Sequence, residues 1–337
     1  MSGQNKIKAV AEEPERHLDD KTLHRLKFID ISKAIGLVFV MLSHICSVLA
    51  ERATPFFITV FFVVSGYCTI REVKISKKFK KLIIPYIIFT IILFALNGTH
   101  ESIDFIGALY SRWCLYQIFI EDNILFLRSN NGPLWFLTSM FVAFLLFKII
   151  EKCQKETYKL MVVAIYIIIS YLMTYLPVLL PWSIDTAFLM AIFIYLGVKV
   201  RELELMKKIN IWWCMILCAL YVIFYHCCAP VNISVRVYGN HIFLFIPASV
   251  VGCLVVMKLS QYLERYAVGN ILSRIGQCSL TIFCLHMPFI GYWNKILSTL
   301  AIDMHPYVNA VLCLVFLMAC LYPLSLLFDK YILNKLT

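Results

Sequence analysis

The chain has 337 residues, of which 61% are hydrophobic and 15% are charged, and its formal net charge is +11. A soluble domain is nearer half apolar and a quarter charged, so this composition excludes an ordinary soluble globular protein. The apolar residues fall in runs of about 18 or more with almost no charge, the length at which a helix crosses a bilayer. With 12 glycines and 11 prolines the chain has too few turn residues for a barrel, which leaves helices as the membrane-spanning element.

The sequence therefore predicts an all-α polytopic membrane protein of about ten transmembrane helices, with a polar tail over 1–27 and a single membrane domain over 28–330. The predicted spans, in chain order, lie near 28–50, 55–73, 79–97, 133–150, 158–176, 184–200, 211–229, 240–258, 276–297 and 306–328. The long segment 98–132 is apolar enough to lie on the outer leaflet and too interrupted to span it. It is interpreted either as an interfacial helix that caps the bundle or as the lid of an external substrate site.

Basic residues alternate strongly between the two sides of these spans. One side carries 26 of the 31 Lys and Arg residues, in the tail with Lys33, 71–81, 148–159, 199–208, 258–275 and 329–337. The other side carries Arg52, Arg112, Arg128, Arg236 and Lys295. Cytoplasmic loops are enriched in Lys and Arg, so the split places both termini in the cytoplasm. The same split accounts for the net positive charge, because the excess of Lys and Arg lies in the loops that orient the protein in the membrane. Nucleic acid is therefore not expected as a partner.

The 13 cysteines lie mostly inside apolar runs without a repeating spacing, so they are interpreted as buried thiols that act as small hydrophobic residues. His226 stands beside Cys227 and Cys228, but no second cluster of ligands accompanies them. No metal site is therefore predicted.

Ionisable residues at membrane depth are costly and are therefore candidates for function. In the first span, His44 follows Lys33 by eleven residues, so both share a helix face and are separated by roughly 16 Å along the axis. Asp30 precedes Lys33 by one helical turn and can pair with it. Neutral imidazole can accept a proton near neutral pH, which predicts a chemical role for His44. The alternative is a histidine that hydrogen-bonds between helices and serves packing alone.

Five further residues also have a structural interpretation. His286, about ten residues into its span, could bind substrate or serve packing. Ser65 and Gly66 lack bulk and allow close helix approach or a kink. Trp135 lies at an outer interface, where tryptophan is common for physical reasons alone. Asp185 lies at an external helix start, where a carboxylate caps the helix without needing another function.

A dense basic segment lies between the second and third spans. It contains Arg71 and Lys74 together with Lys77, Lys78, Lys80 and Lys81. This density predicts binding either to anionic lipid or to the phosphates of a cytoplasmic donor.

The order of these residues resembles acyltransferase family 3, the integral-membrane O-acyltransferases. The resemblance consists of Asp30, Lys33 and His44, then FFVVSGY, KKFKKLIIPY, PLWFL and a late LH, over about 26–328. It is similar above all to the fucose 4-O-acetylase-like branch, which includes enzymes that acetylate bacterial surface polysaccharides. The family's usual motif has an arginine ahead of the histidine. Here Lys33 takes that position and offers a point charge without a bidentate fork.

The resemblance implies an acyl-CoA donor, usually acetyl-CoA, and a sugar hydroxyl of a cell-surface polysaccharide or lipid-linked sugar as acceptor. His44 would be the general base, Lys33 would position the donor or acceptor by its charge, and Asp30 would hold Lys33 in place. A transient acyl-histidine is an alternative mechanism. Residues expected to bind substrate are Trp135, Asp185, His286 and Ser65, and those expected to bind donor phosphates are Lys77, Lys78, Lys80 and Lys81.

The expected location is the cell membrane, as in the bacterial inner membrane, with membrane lipids as partners and homo-oligomerisation left open. Two competing functions remain at this point. The chain could be a proton-coupled transporter or flippase of glycan intermediates, since ten spans and buried histidines suit one equally. It could also be a non-catalytic partner in polysaccharide assembly, in which case His44 would be dispensable.

Overall fold

The computed structural model describes residues 26–97, 102–112, 132–228 and 231–333. The α-helices in these ranges are α1 Lys27–Ile45, α2 Ser47–Ala50, α3 Thr59–Tyr67, α4 Ile75–Asn97, α5 Ser102–Tyr110, α6 Trp135–Lys152, α7 Glu156–Met173, α8 Ile184–Glu202, α9 Leu205–Lys208, α10 Ile211–Cys228, α11 Ile242–Leu263, α12 Ala267–Gln277, α13 Ser279–Thr299 and α14 Pro306–Phe328. The strands β1 Val231–Asn232 and β2 Val237–Tyr238 pair antiparallel. Short helical turns cover Glu51–Ala53, Gly132–Leu134, Pro181–Ser183, Ile233–Val235 and Asp329–Leu333. Residues 1–25 of the predicted tail lie outside the described ranges, and so do residues 98–101 and 113–131 of the predicted loop 98–132.

The predicted fold class is confirmed. Among the described helices, eight are long and apolar enough to cross a membrane, and α12 with α13, which are bent by 79° at their junction, supply up to one more. The eight are α1, α4, α6, α7, α8, α10, α11 and α14. The chain is therefore an all-α polytopic membrane protein.

The second predicted span, over 55–73, differs most from the structure. Its regular α-helix, α3, has only nine residues, too few to cross a bilayer at 1.5 Å per residue. Turns precede α3, and the Thr59 hydroxyl bonds back to the carbonyls of Pro55 and Phe56. At its other end, the Arg201 guanidinium donates to the carbonyl oxygens of Tyr67 and Thr69, which closes the helix C-terminus.

Three other boundaries differ from the prediction and bear on function. The first helix ends at Ile45 instead of residue 50, because Cys46 adopts an extended backbone conformation, so His44 lies in the last turn of α1. The helix α4 begins at Ile75, so the basic residues expected in a loop lie on its first two turns. The helix α12 occupies the second half of the expected loop 258–275 and packs on α1.

Small residues let α3 and α8 approach closely, as predicted for Ser65 and Gly66. A Cβ atom on Gly66 would lie 1.9 Å from the Ile194 carbonyl oxygen, and one on Gly197 would lie 2.0 Å from the Val63 carbonyl oxygen. Neither position can hold a side chain without separating the two helices. The core of the bundle runs along α6 and α8, in which 72% of the residues in the apolar membrane-spanning stretch are buried. In the peripheral helices α7 and α10 only 11% of those residues are buried.

The basic segments meet at one end of the bundle, which we call the basic end. There Lys148 pairs with Glu72, Lys199 pairs with Glu156, and the Lys258 ammonium donates to the Met206 carbonyl oxygen. The ammonium of Lys148 also donates to the Val73 carbonyl oxygen. At the other end, called the opposite end, the turns after α5 and α7 meet the β1–β2 hairpin. The segments rich in Lys and Arg thus lie at one end of the helix bundle and the segments poor in them at the other, as the count of basic residues predicts.

Two exposed cysteines provide a direct test of which end faces the cytoplasm. Cys68 follows α3 at the basic end, and Cys227 lies in the last turn of α10 at the opposite end. In variants that retain only one of them, we expect a membrane-impermeant maleimide on intact cells to label Cys227 and to reach Cys68 only after permeabilisation, because basic loops stay in the cytoplasm. Labelling of Cys68 in intact cells would contradict the predicted orientation.

Candidate active site

The structure brings together the two predicted histidines, which are far apart in the sequence. His44, in the last turn of α1, and His286, on α13, have ring centroids 5.3 Å apart with an interplanar angle of 40°. The His286 side chain is fully buried, whereas that of His44 is exposed. The pair therefore has one imidazole in the core and one at a surface that a second reactant can reach.

The hydrogen bonding of His286 indicates its protonation. Its Nδ1 lies 2.6 Å from the Phe283 carbonyl oxygen, which can only accept, so Nδ1 carries the proton in the neutral ring. The Nε2 atom then has a free lone pair, and it has no hydrogen-bond partner among the described residues. A buried acceptor without a partner is costly, and the second imidazole beside it could supply the missing hydrogen bond.

Lys33 and Asp30 form the predicted ion pair one helical turn apart. Lys33 Nζ lies 3.2 Å from Asp30 Oδ1, and the Lys33 side chain is 29% exposed whereas that of Asp30 is 2% exposed. The end of α12 packs on the backbone of Asp30, since a Cβ on Gly276 would lie 1.8 Å from the Asp30 carbonyl oxygen. Asp30 is thus part of the packed core, and the ammonium of Lys33 lies at the edge of it.

A cavity of about 340 Å³ opens beside Lys33. Ser65, Lys80 and Lys81 also line it, so three ammonium groups surround a space that also contains a hydroxyl. The α12–α13 junction contributes Gly276, Gln277 and Ser279 to the wall, which brings the N-terminus of α13 to the cavity. Lysines and the amide end of a helix both favour anions, so the chemistry of the opening suits a phosphorylated ligand.

Aromatic rings separate this cavity from the histidine pair. Phe61, Phe136 and Phe283 line the cavity, and their rings contact one another at centroid distances of 4.8–6.3 Å. The Phe283 ring also lies 5.8 Å from the His286 ring. The Phe283 side chain therefore lies between the cavity and the buried imidazole and contacts both.

The four predicted phosphate-binding lysines diverge in the structure. Lys80 and Lys81 line the cavity. The Lys78 ammonium instead lies 3.5 Å from the centroid of the Phe144 ring, a cation–π contact with α6. Lys77 is exposed and does not line the cavity. Because the four lie on a helix, successive residues point in different directions, so only two of them reach the site.

Of the predicted substrate-binding residues, Ser65 and His286 belong to this site, whereas Trp135 and Asp185 do not line its cavity. Trp135 begins α6 and is 7% exposed, with its ring edge-on to Phe136. Trp135 therefore packs against Phe136, which lines the cavity, without lining the cavity itself. The predicted role of Trp135 in binding substrate stays a prediction.

Asp185 lies in a buried ion-pair cluster at the opposite end. The Arg112 guanidinium donates to Asp185 Oδ1, and Arg236 Nε lies 3.1 Å from Asp185 Oδ2. Five further hydrogen bonds run from the guanidinium groups of both arginines to main-chain carbonyls of the surrounding turns. The carboxylate also accepts from the backbone amides of Leu180 and Thr186. This geometry joins three external segments, including the described part of the loop 98–132, and leaves the carboxylate enclosed by protein.

Sequence reasoning did not identify the phenylalanines of the cavity wall or the α12–α13 junction. Phe61, Phe136 and Phe283 stand in apolar runs that contain many similar residues. The one residue that could have pointed to the α12–α13 junction is Gly276, two residues before the bend. Glycine allows α12 to approach α1 closely there, because a Cβ atom would meet the Asp30 backbone. A single sequence offers no reason to select it from the other glycines.

Comparison with known proteins identifies the family of the chain. The family model described as an acyltransferase domain, Acyl_transf_3, matches residues 26–329. No curated protein and no solved structure matches the chain. The match includes α1, the cavity and α13, and thus every part of the site described above. A multi-pass membrane protein with this match over nearly its whole length is an acyltransferase, and the chain belongs to acyltransferase family 3.

Proposed function

We propose that the protein is an O-acetyltransferase that moves an acetyl group from acetyl-CoA to a hydroxyl of a cell-surface polysaccharide or lipid-linked sugar. The observation that carries the proposal is that Phe283 lines the lysine-lined cavity at the basic end and also contacts His286 of the His44–His286 pair. We further propose that the protein lies in a bacterial cytoplasmic membrane, with its basic end in the cytoplasm where acetyl-CoA is found.

The donor enters at the basic end. Its phosphates lie among Lys33, Lys80 and Lys81, where ammonium groups compensate their charge. The pantetheine arm then extends past Ser65 along the aromatic wall toward His286. The distance to cover is roughly 16 Å along α1 from Lys33 to His44, which an extended arm can bridge. A displacement of the Phe283 ring admits the thioester to the histidines.

The acceptor hydroxyl approaches His44 from the opposite end, where that side chain is exposed. The general base removes the hydroxyl proton as the oxygen attacks the thioester carbonyl carbon. The C–S bond then breaks, the ester forms, and the histidine returns its proton to the departing thiolate to give free CoA. Atoms and charges balance without another reactant.

We assign the base to His44 and a supporting role to His286. The Nε2 atom of His286 faces no other described hydrogen-bond partner and lies on a ring next to that of His44. It can accept a hydrogen bond from one ring nitrogen of His44, which orients that ring and leaves the lone pair of its other nitrogen free to act on the acceptor. In the alternative with an acyl-histidine, the same pair divides the roles of nucleophile and base.

The donor part of the proposal is tested by charge removal at the cavity. In the double variant Lys80→Gln/Lys81→Gln, we expect the KM for acetyl-CoA to rise by about tenfold or more, because each lost charge-assisted hydrogen bond to phosphate costs roughly 1.5–3 kcal/mol. The rate at saturating donor should change little. Steady-state kinetics in membranes of equal protein content measure both quantities.

The matched control is Lys207→Gln/Lys208→Gln, which removes the same charge from α9 at the same end of the bundle. Neither of these lysines lines the cavity. An equal rise of the KM in both double variants would mean that the loss of positive surface charge, and not the loss of a binding site, causes the effect. An unchanged KM in Lys80→Gln/Lys81→Gln would contradict donor binding at this cavity.

A further inference from the structure

A second cavity, of about 510 Å³, lies at the opposite end of the bundle, away from the lysine-lined cavity. Its walls are the end of α7 with the following turn, the β1–β2 hairpin, and the start of α11. Tyrosine, threonine, asparagine and histidine side chains dominate its lining. We call it the tyrosine groove and define it by Tyr171, Thr174, Tyr175, Tyr238, Asn240 and His241.

Its aromatic side chains are arranged to bind rather than only to pack. Tyr171 and Tyr175 are 37% and 69% exposed, with ring centroids 5.3 Å apart at 85° and hydroxyl oxygens 2.6 Å apart. Tyr238, on β2, is buried, and its hydroxyl has no hydrogen-bond partner among the described residues. Tyrosine offers an apolar face and a polar tip, which suits a ligand with both kinds of surface.

The charge of the groove indicates a neutral ligand. Of the described residues that line it, Arg236 alone carries a fixed charge, and its guanidinium is occupied by Asp185 and by three main-chain carbonyls. The groups left to recognise a ligand are hydroxyls, the Asn240 side chain and an exposed imidazole at His241. Such a set suits a polyhydroxylated molecule better than an anionic headgroup or an acyl chain.

Packing contacts connect this groove to the region of His44. The Asn240 amide donates to the Cys227 carbonyl oxygen at the end of α10. Earlier in α10, the Tyr221 hydroxyl donates to the carbonyl oxygen of Arg52, in the turn that follows α2. The α2 helix begins only three residues after His44. The groove and His44 are thus on one end of the molecule, with α10 between them.

We infer that the tyrosine groove binds a neutral carbohydrate, as a docking site that holds the acceptor glycan while one of its hydroxyls reaches His44. The inference rests on the proposed function and adds to it the place where the acceptor is held. A sugar ring would stack on Tyr175, and its hydroxyls would bond to the side chains of His241 and Asn240.

Binding to the purified full-length protein in nanodiscs tests this inference separately from catalysis. The probe is the mixture of oligosaccharides released by mild acid from the surface polysaccharide of the producing cell, followed by saturation-transfer NMR. We expect Tyr175→Ala and His241→Ala each to weaken binding by about tenfold, which is about 1.4 kcal/mol, because each removes an exposed contact. Both side chains are exposed, so both variants should fold.

The control is Tyr307→Ala, at the start of α14, where the tyrosine is 49% exposed and outside the groove. It should bind the probe like the wild type. If Tyr175→Ala and His241→Ala also bind like the wild type, the groove is not a glycan site and Tyr175 is only an interfacial anchor. If the groove variants lose binding but the wild type transfers no acetyl group, the proposed reaction fails while the docking site stands.

Discussion

Replacing His44 with alanine is expected to lower the rate of acetyl transfer by roughly 10²–10⁴-fold, the usual contribution of a general base. The structural reason is that His44 is the exposed member of the histidine pair, and so the one that an acceptor can reach. Its partner, His286, is buried and held by the Phe283 carbonyl oxygen. The decrease should appear in kcat, while the KM for acetyl-CoA should change little, because the phosphates bind roughly 16 Å away.

Ser43→Ala is the matched control for this loss. Ser43 precedes His44 in the same turn of α1, and its hydroxyl donates only to the Val40 carbonyl oxygen of its own helix. It should be expressed, inserted and active like the wild type. Equal thermal stability of the two variants would attribute the effect of His44→Ala to chemistry. Near wild-type turnover in a well-inserted His44→Ala protein would rule out His44 as the base and favour a transporter or an assembly partner.

The second large effect is expected on stability, at Asp185. Replacing it with asparagine keeps the shape but leaves two buried guanidiniums, of Arg112 and Arg236, without their counter-charge. Breaking a buried ion pair in this way costs roughly 3–5 kcal/mol. Two adjacent residues before Asp185, Trp182 and Ser183, have positive φ values of 53° and 56°, a strained backbone that this cluster helps to hold. A fall in the Tm of the detergent-purified protein measures the loss.

The exposed ion pair between Glu72 and Lys148 is the natural comparison. Glu72 is 73% exposed, so Glu72→Gln should change the stability by at most about 1 kcal/mol. If Asp185→Asn is as stable as the wild type and raises the KM for the acceptor, the carboxylate binds substrate, as the sequence alone suggested. If it loses stability with an unchanged acceptor KM in the folded fraction, the cluster is a structural clamp.

The sequence was sufficient for the fold class because apolar runs and the alternation of basic residues both follow from the bilayer. The same cost of charge in lipid identified Lys33, His44 and His286 as candidates. The contact between His44 and His286 was not predictable. The two stand on α1 and α13, and which helices become neighbours depends on packing that a single sequence does not reveal.

The misplaced boundaries also have physical reasons. Residues 55–73 have the hydropathy of a span, but hydropathy does not register that the Arg201 guanidinium closes α3 at Tyr67 and Thr69. Asp185 has the position of a helix cap, and its two guanidinium partners come from distant external segments. The lysines of α4 were expected to act as one group, whereas the helical arrangement separates Lys78 from Lys80 and Lys81.

The central claim is tested most directly by following acetyl-CoA labelled in its acetyl carbon, in membranes that also contain the surface glycan of the producing cell. With the wild type, we predict that labelled, base-labile ester appears on the glycan in amounts equal to the free CoA thiol released. With His44→Ala at the same protein level, neither product should exceed the background of membranes without the protein. Equal labelling by wild type and His44→Ala, or no labelled glycan with the wild type, would contradict the account.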